Sequence, residues 1–209
     1  MSDLRGRVLK STGKWYQVLM PNGEVTECRI RGRLRLEGLK TTNPIAVGDT
    51  VILDPKSDEE GKRVIIDYEI RENYIVRKST NLSKQMHILA ANVDRAYLMV
   101  TLKFPQTHFV FIDRFLVSAE SFRIPTTLIF NKVDLLDDEA LLDLKAIMFM
   151  YESIGYPCHA ISATNDKDIE FLREEIKDQQ VMIAGHSGTG KSTLVNALDP
   201  NLDLRVGEI

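Results

Sequence analysis

Eight residues near the end of the chain decide the fold: Gly185-His186-Ser187-Gly188-Thr189-Gly190-Lys191-Ser192. They match the pattern G-x-x-x-x-G-K-[ST], a loop whose backbone N–H groups hold nucleotide phosphates. The stretch follows the apolar run 181–184 and precedes a predicted helix at 191–198, which is the context that the pattern requires. The sequence therefore predicts a phosphate loop at 185–192. The alternative is a glycine-rich turn with an incidental Lys-Ser pair.

The residue types of the phosphate loop suit an anion. Glycine lets the backbone approach a phosphate without a Cβ clash. Lys191 can supply a point charge to the β- and γ-phosphates and is the candidate catalytic residue, and we expect the Ser192 hydroxyl to coordinate Mg²⁺. His186 is expected to contribute only its backbone. The predicted phosphate-binding residues are Gly185, His186, Ser187, Gly188, Thr189, Gly190, Lys191, Ser192 and Thr193.

A second motif lies upstream. Asn131-Lys132-Val133-Asp134 fits N-K-x-D, with which GTPases read their base, and it follows a predicted buried strand at 126–130. The Asp134 carboxylate can accept two hydrogen bonds from the N1–H and exocyclic amine of guanine, a donor pair that adenine lacks. The stem of Lys132 can lie over the base, and Asn131 can tie this loop to its neighbours. The alternative is a helix-entry turn with Asp134 as its N-cap.

A third element lies at the end of the predicted strand at 158–162. Ser162-Ala163 resembles the S-A-[KL] loop of GTPases, whose backbone N–H meets guanine O6. The predicted guanine-binding residues are therefore Asn131, Lys132, Asp134, Ser162 and Ala163. In an ordinary GTPase the phosphate loop comes first and N-K-x-D follows. The order is reversed in this chain, which indicates a fold that has been cut and rejoined at new ends.

The bulk composition is that of a soluble globular protein. The chain has 209 residues, of which 44% are hydrophobic and 27% charged. No apolar run approaches the roughly 20 residues that a membrane helix needs, and the first residues do not resemble a signal peptide. We therefore expect a cytoplasmic protein without membrane contact. Cys28 and Cys158 lie far apart, which favours two buried thiols over a disulfide or a zinc cluster.

The chain has a basic front and an acidic remainder. Residues 1–53 contain nine Lys and Arg against five Asp and Glu, a net charge of +4, so the rest carries −7.

Short runs separated by turns predict five strands in a small barrel, of which the OB-fold is the common nucleic-acid-binding type. From residue 94, alternating strand and helix patterns predict a parallel sheet with helices on both faces. The predicted domains are a barrel at 1–72, a linker at 73–93 and an α/β domain at 94–209.

A set of arginines in the predicted barrel suggests an RNA surface. Arg29, Arg31, Arg33 and Arg35 alternate with other residues, so in a strand they would project from one face. They could contact phosphates, and Trp15 or Tyr16 could stack a base. The alternative is a charged edge strand that discourages aggregation.

The three motifs, in this order and behind a small barrel, resemble the circularly permuted GTPases of the RsgA (YjeQ) family, which act in small ribosomal subunit biogenesis. The resemblance covers nearly the whole chain and includes residues 46–49, 91–94, 113–116 and 185–194, and residues 206–209 are similar to the start of the family's first switch loop. It implies an OB-fold barrel that touches ribosomal RNA, followed by a permuted P-loop GTPase domain with a mostly parallel sheet. It also implies Mg²⁺ with GTP or GDP, and GTP hydrolysis whose nucleotide state controls docking on the small (30S) subunit. We expect a monomer.

The sequence departs from the family after Ser192. The family places a D-x-x-G motif and then a Cys/His zinc domain beyond its phosphate loop, and neither pattern occurs in these residues. We therefore expect a GTPase domain that is incomplete at its C-terminal end, binds GTP and hydrolyses it poorly. Zinc is expected only in the family's C-terminal domain. Two other functions stay open: a P-loop enzyme that uses ATP, with an accidental N-K-x-D, and an RNA-binding barrel with a GTP-sensing domain that lacks turnover.

Overall fold

The hydrophobic pattern of the chain changes after Val93, and the structure divides at the same point. This computed structural model describes residues 4–30, 44–56, 62–78, 86–202 and 204. Contacts group the residues up to Val93 into one compact unit and those from Asp94 onward into another.

Five strands of the first unit close into a small barrel, as the short alternating runs predict. They are β1 (Leu4–Ser11), β2 (Tyr16–Leu19), β3 (Val25–Ile30), β4 (Thr50–Leu53) and β5 (Arg63–Tyr68), joined in the order β1-β2-β3-β5-β4. The neighbouring strands are antiparallel, apart from the parallel pair β3 and β5. Alternate side chains point inward and fill the barrel with Val8, Tyr16, Val18, Met20, Cys28, Ile45, Val51, Leu53 and Ile65.

A buried ion pair ties the loop before β4 to the segment after β5. The side chains of Asp49 and Arg71 are 0% and 7% exposed, and Arg71 donates from Nε and Nη2 to the two carboxylate oxygens at 2.6 Å each. The carboxylate also accepts from the Ala46 N–H at 2.8 Å, and Arg71 Nη2 also donates to Pro44 O at 3.0 Å. This dense set of partners offsets the cost of removing both charges from water.

Residues 73–93, for which the sequence predicts a linker, contain a hairpin. Strand β6 (Tyr74–Lys78) pairs antiparallel with β7 (Met86–Ala91). The polar stretch at 79–83 is typical of a connector, whereas the β-branched residues Ile75 and Val76 favour a strand.

The second unit is a four-stranded parallel sheet with helices between the strands. Its strands are β8 (Arg95–Val100), β9 (Thr126–Phe130), β10 (Cys158–Ala160) and β11 (Val181–Ala184), in the order β10-β9-β8-β11. Its helices are α1 (Phe109–Ser121), α2 (Asp138–Ser153), α3 (Asp166–Glu175) and α4 (Lys191–Leu198). The pairs are parallel throughout, as strand and helix alternation predicts.

Both faces of this sheet are covered. Along β8, Leu98 and Val100 pack in one core with residues of α1 and α2, while Tyr97 and Met99 pack in another with residues of α3 and α4. Successive side chains of a strand point to opposite faces, so a continuous apolar run is what a doubly covered strand requires. No helix among the described residues has the length and apolar character to span a membrane.

The register of the sheet brings the motif loops to one edge. In the parallel pairs, Ala184 lies beside Leu98, and Val100 beside Phe130. The loops that begin at Thr101, Asn131 and Gly185 therefore leave the sheet at its carboxyl edge, where open α/β sheets bind ligands.

Candidate nucleotide-binding site

The phosphate loop joins β11 directly to α4, and its glycines adopt conformations that other residues avoid. The φ angles are +149° at Gly185, +84° at Gly188 and +94° at Gly190. A Cβ at Gly185 would lie 2.5 Å from Met99 O, and a Cβ at Gly190 would collide with Asn131 Nδ2. The loop thus requires glycine for conformation and for space. Its tight backbone, leading into the N-terminus of α4, fits a phosphate group.

Two polar side chains of the phosphate loop bond to its own backbone. Lys191 Nζ donates to His186 O at 2.6 Å, and Thr189 Oγ1 donates to the same oxygen at 3.1 Å. Burial lowers the pKa of Lys191, because a partly dry site disfavours the ammonium. Ser192 and Thr193 lie in the first turn of α4 and are half-buried, and Ser187 is exposed.

The side-chain amide of Asn131 connects the three sequence motifs. Asn131 follows β9 and is 3% exposed. Its Nδ2 donates to Thr189 O in the phosphate loop at 2.8 Å, and its Oδ1 accepts from the Ala163 N–H at 2.9 Å. Because an amide nitrogen only donates and its oxygen only accepts, the two bonds fix one orientation of the group.

Lys132 and Asp134 lie on the turn after Asn131. Lys132 has a φ of +65°, and its Nζ donates to Phe104 O at 2.7 Å. Asp134 is exposed within a short 3-10 helix (Val133–Leu135), and its carboxylate pairs with none of the described residues. The N-cap of α2 is Asp137, which accepts from the Ala140 N–H at 2.9 Å. The alternative reading of Asp134 as a helix N-cap therefore does not describe this turn.

The predicted Ser162-Ala163 pair forms the loop after β10, and both of its N–H groups have partners within the protein. Ser162 N donates to Asp168 Oδ2 at 2.8 Å, and Ala163 N donates to Asn131 Oδ1. The next residue, Thr164, is exposed, and its N–H makes only a long bond of 3.4 Å to Ser162 Oγ. Among these three amides, that of Thr164 is the most accessible to a ligand.

Sequence reasoning missed Thr107, Thr164 and Asp168 as parts of this site. Thr107 Oγ1 lies 2.7 Å from His186 Nε2, although 79 residues separate the two positions. No local pattern in the sequence points to Thr107. Asp168 lies inside α3, whose N-cap is Asn165, so its contact with the Ser162 N–H depends on how α3 packs.

The structure leaves most of the predicted RNA surface undescribed. Arg29 lies on β3, whereas Arg31, Arg33 and Arg35 fall outside the described residues. Trp15 is 37% exposed, and Lys62 Nζ lies 3.9 Å from the centre of its ring. Tyr16 is 1% exposed and fills the barrel core, so the expectation that it could stack a base is wrong.

Comparison with known proteins agrees with this geometry. A protein-family model described as RsgA GTPase matches residues 68–209, and one described as RsgA N-terminal domain matches residues 5–62. The chain is 49% identical over 206 residues to the small ribosomal subunit biogenesis GTPase RsgA of Bacteroides fragilis, and 50% identical over 207 residues to that of Christiangramia forsetii. Each alignment covers 99% of this chain and 66% of the relative, so the chain spans just under two-thirds of the relatives' length.

Two solved structures share the fold over nearly the whole chain. YjeQ from Thermotoga maritima superposes with a TM-score of 0.78 at 37% identity, covering 97% of this chain and 67% of that one. YloQ, described as a circularly permuted GTPase, gives a TM-score of 0.73 at 27% identity, covering 95% and 65%. The reversed motif order, the barrel that precedes it and these matches agree: the chain belongs to the RsgA GTPase family, with a circularly permuted GTPase domain.

Proposed function

We propose that this chain binds GTP and GDP with Mg²⁺ at the carboxyl edge of the β10-β9-β8-β11 sheet. The observation that carries the proposal is the Asn131 amide, which bonds to the phosphate loop on one side and to the Ser162–Thr164 loop on the other. A phosphate-binding segment and two base-reading segments are useful only if they contact the same nucleotide. A shared side chain holds them at a fixed spacing.

The phosphates would occupy the phosphate loop. Residues 185–193 supply backbone N–H groups and the N-terminus of α4, and Lys191 supplies a positive charge to the β- and γ-phosphates. The Ser192 hydroxyl would hold Mg²⁺, which when bound neutralises charge on the phosphate oxygens. The present bond from Lys191 Nζ to His186 O has to be exchanged for bonds to phosphate, so the lysine is the mobile part of the cradle.

The base would be read by the turn after β9 and the loop after β10. The exposed Asp134 carboxylate is available to accept from guanine N1–H and the 2-amino group, while the stem of Lys132 covers the ring. Ser162 and Ala163 shape the loop through Asp168 and Asn131. Their own N–H groups are bonded, so we add Thr164 to the predicted set as the donor to guanine O6.

We further propose that the complete protein hydrolyses GTP and uses its nucleotide state to control binding to the small ribosomal subunit. The support is family membership and the names of the relatives, which are small ribosomal subunit biogenesis GTPases. Hydrolysis by these 209 residues alone should be slow, because no D-x-x-G follows Ser192 in them. We propose that the protein is a cytoplasmic monomer, and that zinc belongs to the family's C-terminal domain and to none of these 209 residues.

The barrel would be the ribosomal RNA contact. Its basic residues, which include Arg29, Arg31, Arg33 and Arg35, match a polyanion, and the part-exposed ring of Trp15 offers a stacking surface. The predicted barrel at 1–72 would thus bind RNA and the α/β domain at 94–209 would bind the nucleotide, while the predicted linker at 73–93 contains the β6–β7 hairpin.

Competition between nucleotides tests the central proposal. Fluorescent GDP bound to the chain should be displaced by GDP and GTP at low concentration, and by ADP and ATP only at concentrations at least about a hundredfold higher. Equal competition by ADP would favour the ATP-using enzyme. Guanine selectivity without GTP turnover by the complete protein, with and without small subunits, would favour the GTP sensor.

A further inference from the structure

Three contacts hold the side chain of His186 in place. Its Nε2 lies 2.7 Å from Thr107 Oγ1, its Nδ1 lies 2.9 Å from Ser187 O, and its ring meets the ring of Phe111 edge-on with centroids 5.5 Å apart. The pattern G-x-x-x-x-G-K-[ST] accepts any residue at this position, so phosphate binding by itself does not require a histidine. The contacts indicate that the His186 side chain has a separate structural role.

The hydrogen bonds place a proton on one ring nitrogen. Ser187 O can only accept, so Nδ1 donates to it. Thr107 Oγ1 accepts from the Thr101 N–H at 3.0 Å and also shares a hydrogen bond with His186 Nε2.

Thr107 is itself firmly anchored. It is 9% exposed, and besides the bond to its hydroxyl it donates from its backbone N–H to Thr101 O at 2.9 Å. Thr101 directly follows β8, the strand that pairs with β11. The Thr107 hydroxyl, which bonds to the His186 ring, is therefore fixed at the same sheet edge from which the phosphate loop departs.

The backbone carbonyl of His186 determines where the Lys191 ammonium lies. Its carbonyl oxygen accepts from Lys191 Nζ at 2.6 Å and from Thr189 Oγ1 at 3.1 Å. With both ring nitrogens and the ring edge held, rotation of the 186–187 peptide is restricted. The direction of this carbonyl, and hence the resting place of the ammonium, follows from the contact with Thr107.

We propose that Thr107 and His186 form a positioning pair, in which the Thr107 hydroxyl holds the His186 imidazole so that the phosphate loop stays shaped for the nucleotide phosphates. The inference rests on the proposed guanine-nucleotide site and adds residues outside its motifs. Thr107 acts through His186 and does not itself touch the nucleotide.

The test compares GDP affinity in four variants of the chain by titration of a fluorescent GDP. Thr107→Val, which removes the hydroxyl at nearly constant volume, should weaken GDP binding by about fivefold to tenfold, the equivalent of one net hydrogen bond. Thr107→Ser should restore affinity to within about twofold of the parent chain, because it keeps the hydroxyl. His186→Phe, which keeps the ring contact with Phe111 and removes both ring hydrogen bonds, should match Thr107→Val. The double variant Thr107→Val/His186→Phe should be no weaker than the worse single change, because the two residues share one interaction.

The chain offers a matched control in Thr126→Val. Thr126 is 5% exposed, its hydroxyl donates to Ile124 O at 3.3 Å, and it begins β9 at the amino edge of the sheet. This change should lower the free energy of unfolding in urea as Thr107→Val does, yet leave GDP affinity unchanged. If Thr107→Val does not fold, His186→Phe and Thr107→Ser still decide the matter.

A nitrogen-15 NMR spectrum of the histidine rings gives a second readout. The parent chain should show a proton on Nδ1 of His186, and the Nε2 resonance should shift in Thr107→Val, because its hydroxyl partner is removed. An Nε2 resonance that is the same in both chains would overturn the pair, as would GDP affinity unaffected by both Thr107→Val and His186→Phe. A parent chain that binds no GDP at all would instead refute the proposed function on which the pair rests.

Discussion

The side-chain amide of Asn131 donates to the carbonyl oxygen of Thr189 across 2.8 Å, although 58 residues separate them. This bond joins the N-K-x-D turn to the phosphate loop. Gly190 lies so close to the same amide that a Cβ there would collide with it. The contact explains how loops with a permuted order in the sequence still meet: the connection is made through space at the sheet edge, and does not depend on which loop comes first.

Asn131→Ala should destabilise the α/β unit and weaken GDP binding together. The change leaves Thr189 O and the Ala163 N–H buried without partners, each at a cost of about 1–3 kcal/mol. We expect the free energy of unfolding to fall by about 2–4 kcal/mol and GDP affinity to fall at least about tenfold.

Asn165→Ala is the control. Its amide oxygen also accepts from a backbone N–H, that of Lys167 at 2.9 Å, but at the start of α3. It should cost about 1 kcal/mol and leave GDP affinity unchanged. Unaltered GDP affinity in Asn131→Ala would make the amide structural only.

Lys191→Ala should abolish tight nucleotide binding. The ammonium is proposed to make charge-assisted bonds to the phosphates, each of about 1.5–3 kcal/mol, so loss of two such bonds predicts at least about a hundredfold weaker binding. Calorimetric titration with GDP measures the effect. Lys177→Ala is the control, because that side chain is 65% exposed and pairs only loosely with Glu174 at 3.9 Å. Unchanged affinity in Lys191→Ala would count against the phosphate loop as the binding cradle.

Asp134→Asn should change the preferred base from guanine to xanthine. A carboxylate accepts from the guanine 2-amino group, whereas an amide can donate to the 2-oxo group that xanthine carries in its place. We expect binding of GDP to weaken and binding of xanthosine diphosphate to strengthen, measured by competition. Asp138→Asn, an exposed position in the first turn of α2, should alter neither. If the ratio of the two affinities is the same before and after the change at Asp134, another residue reads the base.

Only those parts of the candidate site that follow a local pattern could be predicted from the sequence. Gly185, Gly190 and Lys191 belong to a pattern whose spacing reflects backbone geometry, and the structure gives those glycines positive φ angles. Thr107 and Asp168 carry no such pattern, because their partners, His186 and Ser162, are chosen by the packing of the loop after β8 and of α3. The contact of Ala163 with Asn131 could not be predicted from the sequence either, since it depends on the distance between two loops.

The fold, like the candidate site, could be predicted only in part. Alternation of strand and helix patterns gave the parallel sheet, and short alternating runs gave the barrel. The hairpin of β6 and β7 was missed, because its strands are joined by a polar stretch that reads as a connector. The partnership of Asp49 and Arg71 was also missed, since 22 residues separate them and nothing local pairs the two charges.

Asp49→Ala should strongly destabilise the barrel. It leaves the Arg71 guanidinium buried without its carboxylate, for which the expected loss is about 3–5 kcal/mol. Urea unfolding followed by fluorescence reports on this unit, because the single tryptophan of the chain, Trp15, lies in it. Glu69→Gln is the control. Its partner Arg5 is 3.0 Å away, but the two side chains are 40% and 58% exposed, so the loss should be below about 1 kcal/mol. Equal losses in the two variants would show that burial of the Asp49 pair contributes nothing special.

If the barrel contacts RNA as proposed, charge and stacking should contribute separately to the binding. Neutralising Arg31 and Arg33 with glutamine should flatten the dependence of log K on log salt concentration by about 1.4, since each contact with a single-strand phosphate contributes about 0.7. Trp15→Ala should instead weaken binding to single-stranded ribosomal RNA by about 1–3 kcal/mol at every salt concentration, because stacking releases no counterions.

Lys167→Gln with Lys177→Gln removes the same charge from the α/β unit and should leave the slope as it was. Slopes measured by fluorescence anisotropy decide between the terms. A slope unaffected by the arginine changes would move the phosphate contact elsewhere, and a slope flattened equally by the lysine changes would mean that only net charge matters.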